Sequence, residues 1–141
     1  MSHRIAILLT NDDTSAFAAG FPNDGQKVVN LLQPQRPEWI FEVVPVMNGV
    51  LPSGLQAFDA YVITGSPASV NDDKLIWMAP FLDFVRQIDA AKQPLIGLCF
   101  GHQAVARALG GQVARYAGGW GLGTASTQWH QSSPWMQPPK A

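Results

Sequence analysis

Short apolar runs alternate along this chain with polar breaks rich in glycine, proline, asparagine and aspartate. Arg4 to Leu9 is nearly continuous in apolar residues, the pattern of a strand covered on both faces. Thr10 to Gly25 reads as a polar loop. From Gln26 onward, Val28, Val29, Leu31 and Leu32 share one helical face, and Pro34 and Pro37 stop that helix. Trp39 to Val46 is aromatic and β-branched and predicts a second strand, with turn chemistry at Asn48-Gly49 and Pro52-Ser53-Gly54. Ala60 to Thr64 predicts a third, buried strand closed by Gly65-Ser66-Pro67. Asn71 and Asp72 are candidate caps for the next helix. Pro80 suits its first position, and Phe81, Phe84, Val85 and Ile88 follow at helical spacing toward an end near Ala91. Leu95 to Leu98 predicts a fourth short strand. The last helix spans Gly101 to Leu109, with Ala104, Val105, Ala108 and Leu109 on one face and Gly110-Gly111 as its stop.

Strand, helix, strand, strand, helix, strand, helix is the order of a three-layer α/β architecture. Its sheet is open and mostly parallel, with helices on both faces, because helical crossovers bury both sides of parallel strands. No internal repeat interrupts that reading. A chain of 141 residues, 47% hydrophobic and 13% charged, fits one domain over residues 1–141 and excludes a solvated acidic tail or a basic arm. Nine Lys and Arg against ten Asp and Glu leave a net charge of −1, so nothing global pulls the protein toward nucleic acid or anionic membrane. The expected ligand is small. The first apolar run, Ile5 to Leu9, is too short for a signal-peptide core or a membrane span. The single cysteine excludes an internal disulfide, and together these features predict a reducing cytoplasm. Composition shifts late in the chain: every Asp and Glu lies at or before Asp89, and Trp120, Trp129 and Trp135 crowd the end among Gly, Ser, Gln and Pro. Residues 124–141 are therefore expected to form an atypical or poorly ordered tail.

Candidate chemistry concentrates in Leu95-Ile96-Gly97-Leu98-Cys99-Phe100-Gly101-His102-Gln103, a strand running through Gly-x-Cys-x-Gly directly into a helix. This is a nucleophile-elbow pattern with sulfur in place of a serine oxygen. Glycines two residues either side leave room for a sharp, strained turn that presents Cys99 at the carboxyl edge of the sheet, where open α/β folds bind ligands. Unpaired N–H groups at a helix start favour a thiolate over a thiol. A thiolate attacking an acyl carbon develops an oxyanion that needs backbone donors. The Phe100 N–H is one candidate, and the Thr64-Gly65-Ser66-Pro67 loop, also after a parallel strand, is the source of the second.

Gly97-Leu98-Cys99-Phe100-Gly101-His102-Gln103, with Thr64-Gly65-Ser66-Pro67 before it and Leu109-Gly110-Gly111 after it, resembles the glutaminase domain of class I (triad) glutamine amidotransferases. The resemblance runs from about Arg4 to about Gly123 and implies a flavodoxin-like sheet. It further implies that Cys99 attacks the side-chain amide of L-glutamine, forms a glutamyl thioester and releases ammonia to an acceptor, held in some members by a synthetase domain or subunit. By the same resemblance the backbone amides of Ser66 and Phe100 form the oxyanion hole, and Gly65 and Gln103 contact the bound glutamine. No cofactor is implied. Many members carry a second glycine where Ser66 stands, a change that a backbone donor tolerates.

The departure from the family lies downstream. Members place the general-base histidine in a His-x-Glu motif some tens of residues beyond the region of Gly119-Trp120-Gly121, and nothing in this sequence matches it. His130 has no Asp or Glu after it to hold its tautomer, His102 reads as a neighbour of the elbow, and His3 stands near the start of the chain. The chain is accordingly expected to be an incomplete domain, cut before that motif and nearly inactive alone. A non-catalytic descendant that keeps the elbow as a binding pocket is the alternative, and another cysteine-elbow hydrolase or redox sensor is a third class. Weaker signals have plainer readings. Asp12-Asp13 and Asp72-Asp73 read as caps or solvated turns, Trp39 and Trp77 as packing residues, and Gly118 to Gly123 neither follows a strand nor opens a helix as a dinucleotide loop does. No metal site is expected.

Overall fold

The computed structural model describes residues 1–121, 123–126, 128 and 133. Four strands, β1 (Arg4–Leu9), β2 (Ile40–Pro45), β3 (Ala60–Ile63) and β4 (Leu95–Gly97), form one sheet in the order β2-β1-β3-β4. Every pairing is parallel, with Ile5 opposite Phe41 and Ala60, and Val62 opposite Ile96. The helices are α1 (Asp24–Leu32), α2 (Met78–Ala90) and α3 (Phe100–Ala108). The predicted three-layer α/β architecture is the observed one, and its strand order is the beginning of the flavodoxin-like 2-1-3-4 series.

Strand alternation divides the core in two. Ala6, Leu8, Tyr61 and Ile63 face α2 and α3, packing with Phe81, Phe84, Val85, Ile88, Phe100 and Ala104. Ile5, Ile7 and Val62 face α1, where Val28 is buried and Val29, Leu32, Trp39 and Phe41 are partly so. Since α1 follows β1 on one face and α2 follows β3 on the other, the winding reverses between those two neighbouring strands. At such a reversal the connections diverge and leave a crevice at the carboxyl ends.

Several boundaries differ from expectation. Neither Asn71 nor Asp72 caps α2, which begins at Met78 behind Trp77. The Asn71 side chain instead donates to the Val113 carbonyl at 2.7 Å, and the Asp72 carboxylate accepts from the Lys74 N–H at 3.0 Å, an Asx-type turn. Pro80 is the third helical residue, still within the first turn, where a missing N–H breaks no intrahelical bond. Helix α1 starts at Asp24, two residues before the predicted start, because the Asn23 side chain accepts the Gln26 N–H at 2.8 Å. Thr10, placed by pattern in a polar loop, is completely buried. The stop of α3 follows expectation: Gly110 adopts φ 89°, and the Gly111 N–H reaches the Ala106 carbonyl at 2.7 Å.

Trp77 is buried against Phe81 and Phe100, whereas Trp39 is half-buried beside Phe41. The described part of 118–123 belongs to no helix or strand. Most of 124–141, including His130, falls outside the described residues, and so does the reading of that segment as a tail. Among the described residues no helix is long and apolar enough to cross a membrane, and no cluster of potential metal ligands occurs.

Candidate active site at the carboxyl edge of the sheet

The strand-to-helix junction is built by its two glycines. A Cβ on Gly97 would lie 2.6 Å from the His102 nitrogen and closer still to the Gly101 carbonyl, and one on Gly101 would lie 2.6 Å from the Ile63 carbonyl oxygen. Both obstacles are backbone, so neither position accepts a side chain without displacing α3 from β3 and β4. Between them Leu98, Cys99, Phe100 and Gly101 make a tight turn, closed by the Gly101 N–H on the Leu98 carbonyl at 2.8 Å.

Cys99 takes φ 51° and ψ −104°, near the first central position of a type II′ turn, a conformation that favours glycine. A non-glycine residue held there stores strain of order 1–3 kcal/mol, and such strain clusters at functional sites. The thiol is exposed at the N-terminal end of α3, and the Cys99 carbonyl accepts the helix's first bond from the Gln103 N–H at 3.2 Å. Phe100 anchors the turn from below. Its ring is 1% exposed and stacks on Phe81 at 6.4 Å, beside Trp77 at 6.0 Å.

The loop after β3 meets this turn from the side. A Cβ on Gly65 would be 3.7 Å from the Cys99 Cβ, ordinary van der Waals distance. Ser66 uses its hydroxyl within the loop, accepting the Ala68 N–H at 3.1 Å. The N–H groups of Ser66 and Phe100 both remain without a hydrogen-bond acceptor among the described residues. Gln103 lies one turn along α3, partly buried. Cys99, Phe100, Gly65 and Ser66 therefore lie together at the carboxyl edge, with Gln103 following on α3.

Other candidates lie elsewhere or are engaged. His3 precedes β1 at the amino edge of this parallel sheet, 3.6 Å from the Asp59 carboxylate and edge-on to Trp39 at 5.2 Å. It is remote from Cys99 by the length of the strands. His102 is exposed on the first turn of α3. The Asp13 carboxylate closes its own loop by accepting the Ser15 N–H at 2.8 Å, and Asp73 pairs with Arg107 at 3.1 Å. These acids serve turns and surface pairing. The hydrogen bond from Ser15 also holds the Asp13 carboxyl below its ordinary value. A concavity of about 480 Å³ is lined by Arg115, Tyr116, Ala117, Gly119 and Trp120, and includes none of the elbow residues.

One pair of residues at this edge escaped the sequence reading. Thr10 and Thr64 end the apolar runs of β1 and β3, and both are essentially unexposed. The Thr10 N–H donates to the Thr64 hydroxyl at 3.0 Å, and the two hydroxyls are 3.1 Å apart. Both also reach the Gly65 carbonyl oxygen, at 3.0 Å from Thr10 and 3.1 Å from Thr64. The available signal was the repetition itself, since both apolar runs stop on threonine.

An open parallel α/β sheet carrying an exposed thiol on a strained strand-to-helix turn, with two backbone N–H groups of the adjoining segments lacking an acceptor among the described residues, defines the class of cysteine-elbow proteins. A family model for glutamine amidotransferase class-I matches residues 40–133, and the chain belongs to that family. It is 34% identical over 89 residues to gamma-glutamyl peptidase 4 of Arabidopsis thaliana, covering 62% of this chain and 34% of that protein. A putative glutamine amidotransferase of Saccharomyces cerevisiae is 34% identical over 137 residues, covering 87% of this chain and 54% of that one. The crystal structure of a glutamine amidotransferase from Methylobacillus flagellatus superposes with a TM-score of 0.56 at 28% identity, covering 75% of this chain and 38% of that one. The chain thus spans between about a third and a little over half of these relatives' lengths.

Proposed function

We propose that this chain carries the acyl-transfer site of a class I glutamine amidotransferase, with Cys99 as nucleophile and L-glutamine as acyl donor. The carrying observation is the exposed Cys99 thiol at φ 51°, beside Gly65, in a chain of this family. The sulfur adds to the side-chain carbonyl carbon, and the negative charge gathered on the oxygen is met by the N–H groups of Ser66 and Phe100. The carbon–nitrogen bond then breaks, the thiol's proton leaves with the nitrogen as ammonia, and a glutamyl thioester remains for water to hydrolyse. Gly65 and Gln103 contact the bound glutamine, and the ammonia passes to an acceptor held by a synthetase domain or subunit.

Proton transfer to the departing nitrogen is the demanding step. No His-x-Glu motif stands in this sequence, and losing a triad base costs about 10⁴–10⁶ in turnover, so ammonia release by this chain is expected to lag covalent capture. The likeness to the Arabidopsis gamma-glutamyl peptidase supports a second reading, in which the same thioester forms but the leaving group is the amine of a γ-glutamyl peptide. Incubation with a diazoketone analogue of glutamine, followed by mass spectrometry, tests the shared step. One adduct on Cys99, blocked by L-glutamine and absent from Cys99→Ala, is expected; an unreacted protein would overturn the assignment. Competition by γ-glutamyl dipeptides against glutamine separates the two leaving groups.

A further inference from the structure

We propose that Thr10 and Thr64 are positioning residues, which turn the Gly65–Ser66 peptide so that its N–H faces Cys99; the catalytic meaning of this rests on the acyl chemistry proposed above. The Gly65 carbonyl oxygen is the acceptor common to both buried hydroxyls, at 3.0 Å from Thr10 and 3.1 Å from Thr64. Buried hydroxyls cannot turn to water, so their protons are spent inside this cluster. Thr10 follows β1, and β3 lies between β1 and β4. The carbonyl is therefore held on the β1 side of the loop. In a trans peptide the N–H points opposite to the preceding C=O, so the Ser66 N–H is directed to the β4 side. Cys99 lies on that side, its Cβ 3.7 Å from where a Gly65 Cβ would stand, and the Ser66 N–H has no other acceptor among the described residues.

The arrangement has a physical rationale. An oxyanion donor is effective only if its dipole is fixed before charge develops, since reorienting it during reaction would cancel much of the gain. A peptide in a surface loop with glycine on one side is the kind most free to rotate. Two threonines at the winding reversal between β1 and β3, tied to each other through the Thr10 N–H, remove that freedom without contacting substrate.

The test uses the fact that Cys99 is the sole cysteine of the chain, so every thiol reaction reports on it. Two rates are measured on the full chain: release of p-nitrophenol from a γ-glutamyl p-nitrophenyl ester, whose leaving group needs no acid, and exchange with dithiodipyridine, which passes through no oxyanion. Thr10→Val and Thr64→Val are expected to slow acylation by about 10–10² while exchange stays within about two-fold; removing an oxyanion donor outright costs about 10²–10³. Thr10→Ser and Thr64→Ser, which keep the hydroxyls, are expected to restore acylation. Unchanged acylation in both valine variants, a parallel fall in both rates, or failure of the serines to restore would each overturn the proposal. Should the ester release be the same in Cys99→Ala as in the parent, the acyl assignment fails, and crystal structures then judge the positioning role separately. There the Gly65 carbonyl is expected to leave the β1 side in Thr10→Val, the milder variant, and a carbonyl that stays in place would overturn it.

Discussion

On the α2 and α3 side of the sheet, Phe81, Val85, Ile88 and Ile63 are wholly buried, whereas on the α1 side Ile96 is 59% exposed and Leu98, just beyond β4, is 42% exposed. Two helices cover the first face. Among the described residues one helix covers the second, and it lies over β1 and β2, away from β4. The uncovered part is apolar, a groove of about 160 Å³ that Leu32, Trp39, Phe41, Pro94 and Ile96 help to line. Parallel sheets are ordinarily buried on both faces, and β4 is hydrogen-bonded to β3 alone among the described residues. The elbow is assembled on the finished side: Phe100 pins it into the aromatic cluster with Trp77 and Phe81, so the precision of the site is drawn from the well-packed half of the molecule.

Substitutions that sample each side should reveal this asymmetry. Phe81→Ala, which opens a cavity under the elbow, is expected to cost about 3–5 kcal/mol, read as a lower urea midpoint. A loss under 1 kcal/mol would mean that the two faces carry similar stability. Gly97→Ala forces a Cβ against the backbone of Gly101 and His102, and overpacking of this kind costs about 1–3 kcal/mol. It should also suppress Cys99 acylation, and wild-type reactivity in that variant would show that the elbow tolerates displacement.

On the single-helix side the effects should be smaller. Asn23→Ala removes the cap of α1 and is expected to cost about 1 kcal/mol, checked by the same urea titration. Beside it, partial burial pushes the Asp24 carboxyl up, but hydrogen bonds from Lys27 and Asn11 and the lysine charge together outweigh burial and hold it below the usual range. A depressed carboxylate contributes stability that is present above its unfolded pKa, about 3.9, and is lost as pH falls through the folded value. Asp24→Asn should therefore flatten the acid limb of a stability–pH curve and leave its shape near neutrality alone. Ile96→Thr keeps β-branching while removing apolar surface, so its stability is expected to stay within about 0.5 kcal/mol of the parent, with weaker binding of an apolar dye. A loss comparable to Phe81→Ala would show that the β4 face is covered in solution.

Much of the architecture was legible because its signals are local. The apolar runs at Arg4–Leu9 and Ala60–Ile63, the helical spacing of Phe81, Phe84, Val85 and Ile88, and the glycine stop of α3 each depend on residues within a few positions of one another. The elbow was legible for the same reason, since Gly97, Cys99 and Gly101 specify strand, turn and helix start in five residues. The errors fell where a local signal had a distant competitor. Asn71 has the composition of a cap, but its side chain is spent on Val113 across the surface, and Pro80 moved inward once Trp77 and Met78 were drawn into the core.

Taken by itself, then, the amino-acid order determined that this is a parallel α/β chain with a cysteine held between two glycines at a strand end, because backbone sterics and hydrophobic period act over a few residues. Which face each helix would cover, and that α1 would lie away from β4, was decided only when the strands took their order in the sheet. The same holds for Thr10: polar in sequence, it is buried because the pairing of β1 with β3 sets it beside Thr64, whose hydroxyl accepts the Thr10 N–H, and the Gly65 carbonyl lies within reach of both hydroxyls. A polar side chain is buried only where partners await it, and those partners are 54 and 55 residues away in the chain.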